Sequence, residues 1–336
     1  MTGWILTSAK NSSHPINACK KVVFFGSSEF SIAALELLLS LSLESLTVIT
    51  TPDRPQGRGL RLQPNPVKER CEEEKVFVLT PDSLRDVDLE KKVASIQPDL
   101  FVVSSYGKLI PASWLKIPKK LSLNLHPSLL PKYRGAAPIP WQILNGEKET
   151  GVSIAEVTKE LDAGDIFHQI YIPLKEDETT ESLTKKLSEL SKRALRDTLT
   201  DIEKDALHRV PQDSSQTSYA RKLTKEDGFL HFMESAMELS RKVRAFCPWP
   251  GTFVKYNEQM LRIVEVIEDP LSCSEAKPGT LLEIHSNGSL RIQTGKGSLL
   301  ISKVQVSGRR LISGRDFANG ERLKVGFIFE SLSSNP

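Results

Sequence analysis

Residues 20–50 read KKVVFFGSSEFSIAALELLLSLSLESLTVIT, two apolar runs separated by an amphipathic stretch. The first run, KKVVFF at 20–25, predicts a buried parallel strand, and LTVIT at 46–50 predicts a second one. Between them, residues 28–40 have apolar side chains at helical spacing and a serine that can cap the helix. This strand-helix-strand order is the repeating unit of an α/β fold.

The same alternation continues through the first 208 residues. Further strands are predicted at 76–79, 100–105 and 121–125, and helices at 66–75, 83–96 and 179–208. We therefore expect a doubly wound, mostly parallel, Rossmann-like sheet. The active sites of such sheets lie beyond the carboxyl ends of their strands.

The pattern changes after residue 208. The polar segment 209–218, RVPQDSSQTS, predicts a linker. Beyond a helix at about 232–246, short alternating stretches separated by Gly, Asn, Ser and Pro indicate a small, OB-like barrel of antiparallel strands. We therefore divide the chain into an N-terminal extension at 1–19, a catalytic domain at 20–208, the linker, and a C-terminal domain at 219–330.

Composition sets the broad class of the protein. The 336 residues are 39% hydrophobic and 26% charged, which is typical of a globular protein, and the net charge of +3 does not select a partner. The four cysteines are widely spaced and include no C-x-x-C pair, so neither a disulfide framework nor a zinc site is indicated. No apolar run approaches the roughly 18 residues that span a membrane.

These features predict a cytoplasmic protein in a reducing compartment. The alternative is an organellar stroma or matrix, if residues 1–19, which contain no acidic residue, are a transit peptide. We expect a monomer, because no apolar surface stripe indicates a dimer.

The densest motif is Asn124-Leu125-His126-Pro127, followed by SLLP at 128–131. Asn124 and His126 are two residues apart at the end of a predicted strand, so both side chains project to the same side. Downstream, LDAGD at 161–165 offers Asp162, which can approach the imidazole, orient it and favour its charged form. Taken singly, each residue is more often structural: a core histidine, a turn-forming asparagine and a capping aspartate.

Together these motifs resemble the signature of the folate-dependent formyltransferases. The resemblance rests on Asn124-x-His126, on SLLP-x-x-RG at 128–135 and on LDAGD, and it is extended by GAAPI at 135–139, SYGKLIP at 105–111 and PDRPQGRG at 52–59. YARKLTKEDG at 219–228 and RAFCPWPG at 244–251 resemble the C-terminal domain of the branch that acts on methionyl-tRNA. The match covers about residues 20–325 and departs at Ser27-Ser28, where the family usually has Thr-Pro.

The resemblance implies that a formyl group passes from 10-formyltetrahydrofolate, a co-substrate, to the α-amino group of methionyl-initiator tRNA. It implies no metal and no tightly bound cofactor. Asn124 would bind the oxyanion of the tetrahedral intermediate, His126 would stabilise it and donate a proton, and Asp162 would orient and charge His126. These roles require the three groups to converge and the imidazole to remain open to solvent. The expected folate contacts are Tyr106, Gly107, Ser128, Leu129, Leu130 and Pro131.

Two basic segments are candidate tRNA contacts. Residues 50–68 hold four cations, Arg54, Arg58, Arg61 and Lys68, against one acid, Asp53. From the residues alone, a solvated basic loop is equally favoured; the resemblance favours entry into the acceptor stem, with Arg58 foremost.

The second basic segment, residues 277–324, holds nine Lys or Arg and three Asp or Glu. We predict phosphate contacts there by Lys303, Arg309 and Arg310, with an ordinary charged surface as the alternative. Trp249, between two prolines, is interpreted as a buried apolar plug rather than a base-stacking residue.

Three other functions compete with this hypothesis. The same chemistry could formylate a purine precursor or an amino sugar, although the basic C-terminal barrel favours tRNA. An RNA-binding protein on a retired formyltransferase scaffold is opposed by the presence of all three candidate catalytic residues. A dinucleotide-dependent enzyme is favoured only by the topology, because Gly57-Arg58-Gly59 lacks the third glycine of that fingerprint.

Overall fold

The computed structural model describes residues 19–56, 61–257, 259–269 and 275–330. The predicted N-terminal extension therefore lies outside the described residues, apart from Cys19. The chain forms two compact units. Among the described residues, the first unit comprises those within 19–138, 149–173 and 184–221, and the second comprises those within 139–148, 174–183 and 222–330.

The first unit is built on a seven-stranded sheet with the order β10-β9-β7-β6-β1-β2-β5. Neighbours from β7 to β5 pair in parallel, whereas β9 pairs antiparallel with both β7 and β10. The predicted mostly parallel sheet is thereby confirmed. Its strands are β1 Lys21–Gly26, β2 Ser45–Ile49, β5 Val78–Leu79, β6 Leu100–Ser104, β7 Leu121–His126, β9 Glu149–Glu156 and β10 Ile166–Pro173. Two short pairs complete the strands, β3 Arg54–Gln56 with β4 Arg61–Gln63 and β8 Arg134–Gly135 with β11 Tyr219–Ala220.

The helices are shorter than the sequence pattern predicted. They are α1 Ile32–Ser40, α2 Pro66–Glu73, α3 Val87–Ser95, α4 Pro138–Asn145 and α5 Thr180–Glu203. Capping residues explain two of the starting points: Asn65 accepts the N–H of Lys68 before α2, and Asp86 accepts two N–H groups at the start of α3. The fully apolar β1 lies at the centre of the sheet and is buried from Val22 to Phe25.

Residues 209–218, interpreted from sequence as a linker, pack within the first unit. Val210 and Ile166 exchange backbone hydrogen bonds of 2.9 and 2.8 Å, which add a bridge beside β10. Residues 214–216 form a single 3-10 turn capped by Asp213. Val210 of this segment is therefore hydrogen-bonded to β10, an edge strand of the seven-stranded sheet.

The second unit contains the predicted antiparallel sheet, in the order β12-β13-β16-β15-β14, with β17 also paired to β16. Its elements are α6 Ala236–Ala245, β12 Thr252–Tyr256, β13 Gln259–Asp269, β14 Leu281–Ile284, β15 Leu290–Gln293, β16 Ser298–Val306, β17 Ile312–Ser313 and α7 Gly314–Gly320. Near the end of the chain, Ile328 bridges Thr280 before β14, and Glu330 bridges Lys255 in β12. This end segment therefore lies between the two edge strands of the sheet.

One expectation for the second unit is wrong. Trp249 is 50% exposed, so it is not a buried plug. Its neighbours Pro248 and Pro250 lack the backbone donors needed to continue regular structure, which keeps the indole in an irregular segment between α6 and β12.

No helix among the described residues has both the length and the apolar character needed to cross a membrane.

Candidate active site

The three predicted catalytic side chains lie together at one edge of the parallel sheet. Asn124 and His126 occupy the carboxyl end of β7, and Asp162 lies in the turn between β9 and β10. Asn124 Nδ2 donates to Asp162 Oδ1 at 2.8 Å, and His126 Nδ1 is 3.7 Å from Asp162 Oδ2. Because β7 and β9 are adjacent in the sheet, two distant motifs meet at one point.

Asn124, His126 and Asp162 form the Asp162 cluster, and the carboxylate of Asp162 lies at its centre. Besides the amide of Asn124, it accepts the backbone N–H of Gly135 at 2.8 Å on Oδ2. Its side chain is only 9% exposed, so these donors replace solvent. The backbone of Asp162 has a φ of 52°, in the left-handed region that is uncommon for non-glycine residues, although aspartate adopts it more readily than most.

Position 135 requires glycine for two reasons, the space around it and its backbone conformation. Its φ is +123°, and a Cβ atom at this position would approach the carbonyl oxygen of Ala220 to 2.7 Å. The close approach arises because β8 pairs with β11, so the backbone of Ala220 lies against Gly135. The glycine of the RG motif thus allows its N–H to reach Asp162.

His126 differs from the expectation, because its ring is buried with only 4% of the residue exposed. Nε2 lies 2.9 Å from the carbonyl oxygen of Tyr133. A carbonyl only accepts, so Nε2 carries a proton in this contact and Nδ1 faces Asp162 beyond hydrogen-bond range. Tyr133 has a φ of 62°, which turns the chain after SLLP back over the end of β7. The prediction of a solvent-open imidazole is therefore wrong for this structure.

Asn124, in contrast, is only partly buried. Its carboxamide has two N–H donors, of which Asp162 accepts one. The bond to Asp162 fixes the plane of the amide, so the second N–H has a defined direction. Within this cluster, Asn124 is the group best placed to meet a ligand in the conformation observed.

The loop at 128–131 is held from β9 and β10. Ser153 Oγ donates to the carbonyl of Ser128 at 2.7 Å and accepts the N–H of Leu130 at 3.0 Å. Gln169 Nε2 donates to the carbonyl of Leu130 at 2.9 Å. Neither Ser153 nor Gln169 is predicted from sequence to support this loop, although Ser153 is detectable as a polar residue inside the apolar stretch GVSIAEV at 151–157.

The six predicted folate contacts divide by accessibility. Three have accessible atoms: the exposed Gly107 and the half-buried Leu129 and Pro131. Three have buried side chains: Tyr106, Ser128 and Leu130. The Tyr106 ring packs edge-on against Phe25, and this burial raises the pKa of its hydroxyl to about 12.

The loop before residue 107 is tied to the position at which the sequence departs from the family pattern. Ser27 Oγ donates to the carbonyl oxygens of Ser105 at 2.8 Å and of Tyr106 at 3.2 Å. Ser105 has a left-handed φ of 47°. The hydroxyl at residue 27 thus holds the SYG turn beside the ends of β1 and β6.

The predicted tRNA contacts of the first unit that the structure describes fall into two groups. Arg54 and Arg61 are exposed on the β3–β4 hairpin. The ammonium group of Lys68 instead pairs with Asp53 at 2.7 Å, and this hydrogen bond raises the pKa of the lysine. Arg58 lies outside the described residues.

In the second unit, two of the predicted tRNA contacts have acidic partners. Lys303 pairs with Glu265 at 3.1 Å, and Arg309 pairs with Glu321 at 3.3 Å. Arg310 is exposed. Among the residues that the structure describes, no group of three or more His, Cys, Asp or Glu is arranged to hold a metal ion.

Two family models match the chain. One, described as formyl transferase, matches residues 20–199, and the other, described as formyl transferase, C-terminal domain, matches residues 222–322. Together they cover both the sheet that carries the Asp162 cluster and most of the second unit.

Curated relatives are similar over most of the chain. The methionyl-tRNA formyltransferase of Hydrogenovibrio crunogenus is 38% identical over 303 residues, which cover 90% of this chain and 96% of that protein. The methionyl-tRNA formyltransferase of Geobacter sulfurreducens is 37% identical over 306 residues, covering 91% and 95%.

Solved structures share the fold at low sequence identity. An N-formyltransferase from Helicobacter canadensis, in complex with folinic acid and dTDP-3-aminofucose, superposes with a TM-score of 0.64 at 18% identity and covers 85% of this chain and 99% of that one. HypX from Aquifex aeolicus in complex with tetrahydrofolic acid gives a TM-score of 0.58 at 18% identity and covers 93% of this chain and 51% of that one.

Proposed function

The chain belongs to the formyl transferase family, and on that premise we propose that it transfers a formyl group from 10-formyltetrahydrofolate to the α-amino group of methionyl-initiator tRNA. The observation that carries the proposal is the extent of the similarity: 38% identity to a methionyl-tRNA formyltransferase runs through both units. The product is N-formylmethionyl-tRNA, which serves translation initiation.

The chemistry follows from the Asp162 cluster. The amine nitrogen attacks the formyl carbon, and the carbonyl oxygen becomes an oxyanion in a tetrahedral intermediate. The second N–H of Asn124 donates to that oxygen. The intermediate collapses as the bond between carbon and N10 of the folate breaks, N10 gains a proton and the amine loses one.

In the conformation observed, the buried ring of His126 does not meet the requirement for an imidazole open to solvent, so His126 serves this reaction only after a local change. Its Nε2 proton is donated to the Tyr133 carbonyl in the conformation observed, at 2.9 Å. Binding of the substrates shifts residues 132–134, so that the oxyanion or N10 replaces that carbonyl. Asp162, near Nδ1 at 3.7 Å, stabilises the charged imidazole as it acts.

We propose that the folate lies against Gly107, Leu129 and Pro131 through accessible atoms, and against Tyr106, Ser128 and Leu130 through their backbone. The acceptor stem contacts Arg54, Arg58 and Arg61. Lys68 supports the base of the β3–β4 hairpin through its ion pair with Asp53. Lys303, Arg309 and Arg310 contact phosphates. In this proposal residues 20–208 carry the chemistry, residues 219–330 bind tRNA, and the protein acts as a cytoplasmic monomer.

The test is transfer of labelled formyl from 10-formyltetrahydrofolate to methionylated initiator tRNA. Parallel reactions contain methionylated elongator tRNA and a nucleotide-linked amino sugar. The expected result is rapid transfer to initiator tRNA and weak transfer to the other two acceptors. Preferred transfer to the amino sugar, or tight tRNA binding without any transfer, would contradict the proposal.

A further inference from the structure

The side chain of Gln212 joins the segment 209–218 to the turn that carries Asp162. Its Nε2 donates to the carbonyl oxygens of Asp162 at 2.8 Å and of Gly164 at 2.7 Å. Its Oε1 accepts Nε of Arg134 at 3.1 Å and Nη2 of the same guanidinium at 2.8 Å. A glutamine amide offers two N–H donors and two lone pairs on oxygen, so its hydrogen-bonding capacity is fully used here.

Arg134 links Gln212 to the residue that binds the carboxylate of Asp162. Its side chain is 7% exposed, and its planar fork places two N–H groups on one amide oxygen. The next residue, Gly135, donates its N–H to the carboxylate of Asp162. Gln212, Arg134, Gly135 and Asp162 therefore form a closed ring of covalent and hydrogen bonds around the carboxylate.

The turn that Gln212 holds is conformationally demanding. Asp162 has a left-handed φ of 52°, and a Cβ atom on Gly164 would lie 2.0 Å from the carbonyl oxygen of Glu156. A non-glycine residue in such a conformation relies on hydrogen bonds and packing from its neighbours to stabilise it. The two hydrogen bonds from Gln212 hold the carbonyl groups of Asp162 and Gly164. They thereby restrain the backbone of the turn in which Asp162 has its left-handed φ.

We propose that Gln212 is a positioning residue of the formyl-transfer reaction, acting through Asp162. It holds the 162–164 turn so that the carboxylate remains on the amide of Asn124 and beside the ring of His126. No hydrogen bond links the side chain of Gln212 directly to Asn124 or His126 among the described residues, so its effect passes through Asp162. The inference rests on the proposed function for its kinetic consequences, but its structural content does not.

Two substitutions separate the functions of the amide. Gln212→Glu retains an acceptor for Arg134 but replaces the two donors by an oxygen that faces two carbonyl groups. Gln212→Met keeps the length of the side chain and removes all four bonds. The matched control is Gln216→Met, because Gln216 lies on the same segment, is exposed and bonds only to Asp213 among the described residues.

The kinetic test measures kcat and the two KM values for formyl transfer by the full chain. Both Gln212 variants are expected to lose roughly 10–10²-fold in kcat, the scale of a displaced catalytic group, with KM values within about twofold. Gln216→Met is expected to match the unsubstituted protein. Unchanged kcat in Gln212→Glu, or a loss confined to KM, overturns the proposal.

A double-mutant cycle with Asp162→Asn distinguishes positioning from general stability. If Gln212 acts through Asp162, adding Gln212→Glu to Asp162→Asn lowers kcat by no more than about twofold. Losses that multiply in the double variant contradict action through the carboxylate.

A crystal structure of Gln212→Met tests the inference without any assay. The expected result is a changed backbone at Asp162, with the Asn124 Nδ2 to Asp162 Oδ1 distance lengthened beyond hydrogen-bond range. An unchanged cluster overturns the inference even if methionyl-tRNA is the substrate. If the unsubstituted protein instead formylates another amine, the proposed function fails. The double-mutant cycle with Asp162→Asn, measured with that amine as acceptor, then still decides whether Gln212 acts through Asp162.

Discussion

The Asp162 cluster and the β3–β4 hairpin use charged side chains in opposite ways. In the cluster, a carboxylate that is 9% exposed is held by an amide and a backbone N–H, and an imidazole lies 3.7 Å away. On the hairpin, Arg54 and Arg61 are exposed, and no ion pair involves them among the described residues. The first arrangement suits a reaction that depends on geometry, and the second suits contact with a polyanion whose position varies. Substitutions should therefore change turnover in the cluster and substrate affinity on the hairpin.

The largest expected effect is on turnover, from substitutions within the cluster. Asn124→Ala removes the proposed oxyanion donor and is expected to lower kcat by roughly 10²–10³-fold, with similar or greater losses for His126→Ala and Asp162→Ala. Single-turnover formyl transfer measures the loss, and circular dichroism checks that the fold is intact. Asn319→Ala, an exposed asparagine of the second unit, is the control. Near-normal turnover in any one variant removes that residue from the mechanism.

A smaller effect is expected when the support of the carboxylate is disturbed. Gly135→Ala introduces a Cβ atom 2.7 Å from the Ala220 carbonyl and displaces the N–H that Asp162 accepts. The free energy of unfolding should fall by about 1–3 kcal/mol, and kcat should fall roughly 10–10²-fold.

Gly308→Ala provides the matched control for that substitution. Gly308 also has a positive φ, +81°, but a Cβ atom there has open space. It should lose about 1–2 kcal/mol of stability through φ alone, with kcat unchanged. Equal kinetic effects at both glycines would mean that the Gly135 N–H has no particular importance.

On the hairpin, the expected effect is on affinity. The double variant Arg54→Gln/Arg61→Gln should raise KM for tRNA and reduce the slope of log KM against log salt by about 2 if each arginine neutralises one phosphate. Turnover at saturating tRNA should remain unchanged. Lys91→Gln/Lys116→Gln, which removes two exposed cations elsewhere on the first unit, should leave the slope unaltered. A fall in kcat without a change in slope would contradict the division between the two regions.

The smallest effect is expected at Lys68. Because its ammonium group pairs with Asp53 at 2.7 Å, its charge is already compensated locally. Lys68→Met should change KM for tRNA by less than about twofold at moderate salt, within the range of a surface ion pair. A change as large as that of the arginine pair would show that Lys68 leaves Asp53 to contact the substrate.

The sequence was informative wherever side-chain periodicity decides the outcome. The apolar runs at 20–25 and 46–50 predicted β1 and β2 to within a residue at each end, because a central parallel strand is buried on both faces. The period of two also placed Asn124 and His126 on the same side of β7. Their approach to Asp162 followed from the adjacency of the strand ends, and the roles of the three residues came from the resemblance to the family.

Backbone-dependent features could not be predicted in this way. The buried ring of His126 contacts the carbonyl of Tyr133, whose left-handed φ is not encoded in any side-chain pattern of SLLPKYRG. The polar composition of residues 209–218 predicts a linker. The partners of Gln212 are two backbone carbonyls about 50 residues away and the guanidinium of Arg134, and none of them leaves a signal in the local sequence. The general preference of large aromatic side chains predicts a buried Trp249, but its side chain is half exposed in the segment between α6 and β12.

The most direct test of the central claim is a crystal structure with a hydrolysis-stable 10-formyl folate analogue. We expect Asn124 Nδ2 to lie about 2.7–3.1 Å from the formyl oxygen, the range for an oxyanion donor. We also expect His126 Nε2 to have left the Tyr133 carbonyl and to point toward the formyl group, with Asp162 still bonded to Asn124. A formyl group bound away from all three side chains would show that they do not carry out the transfer.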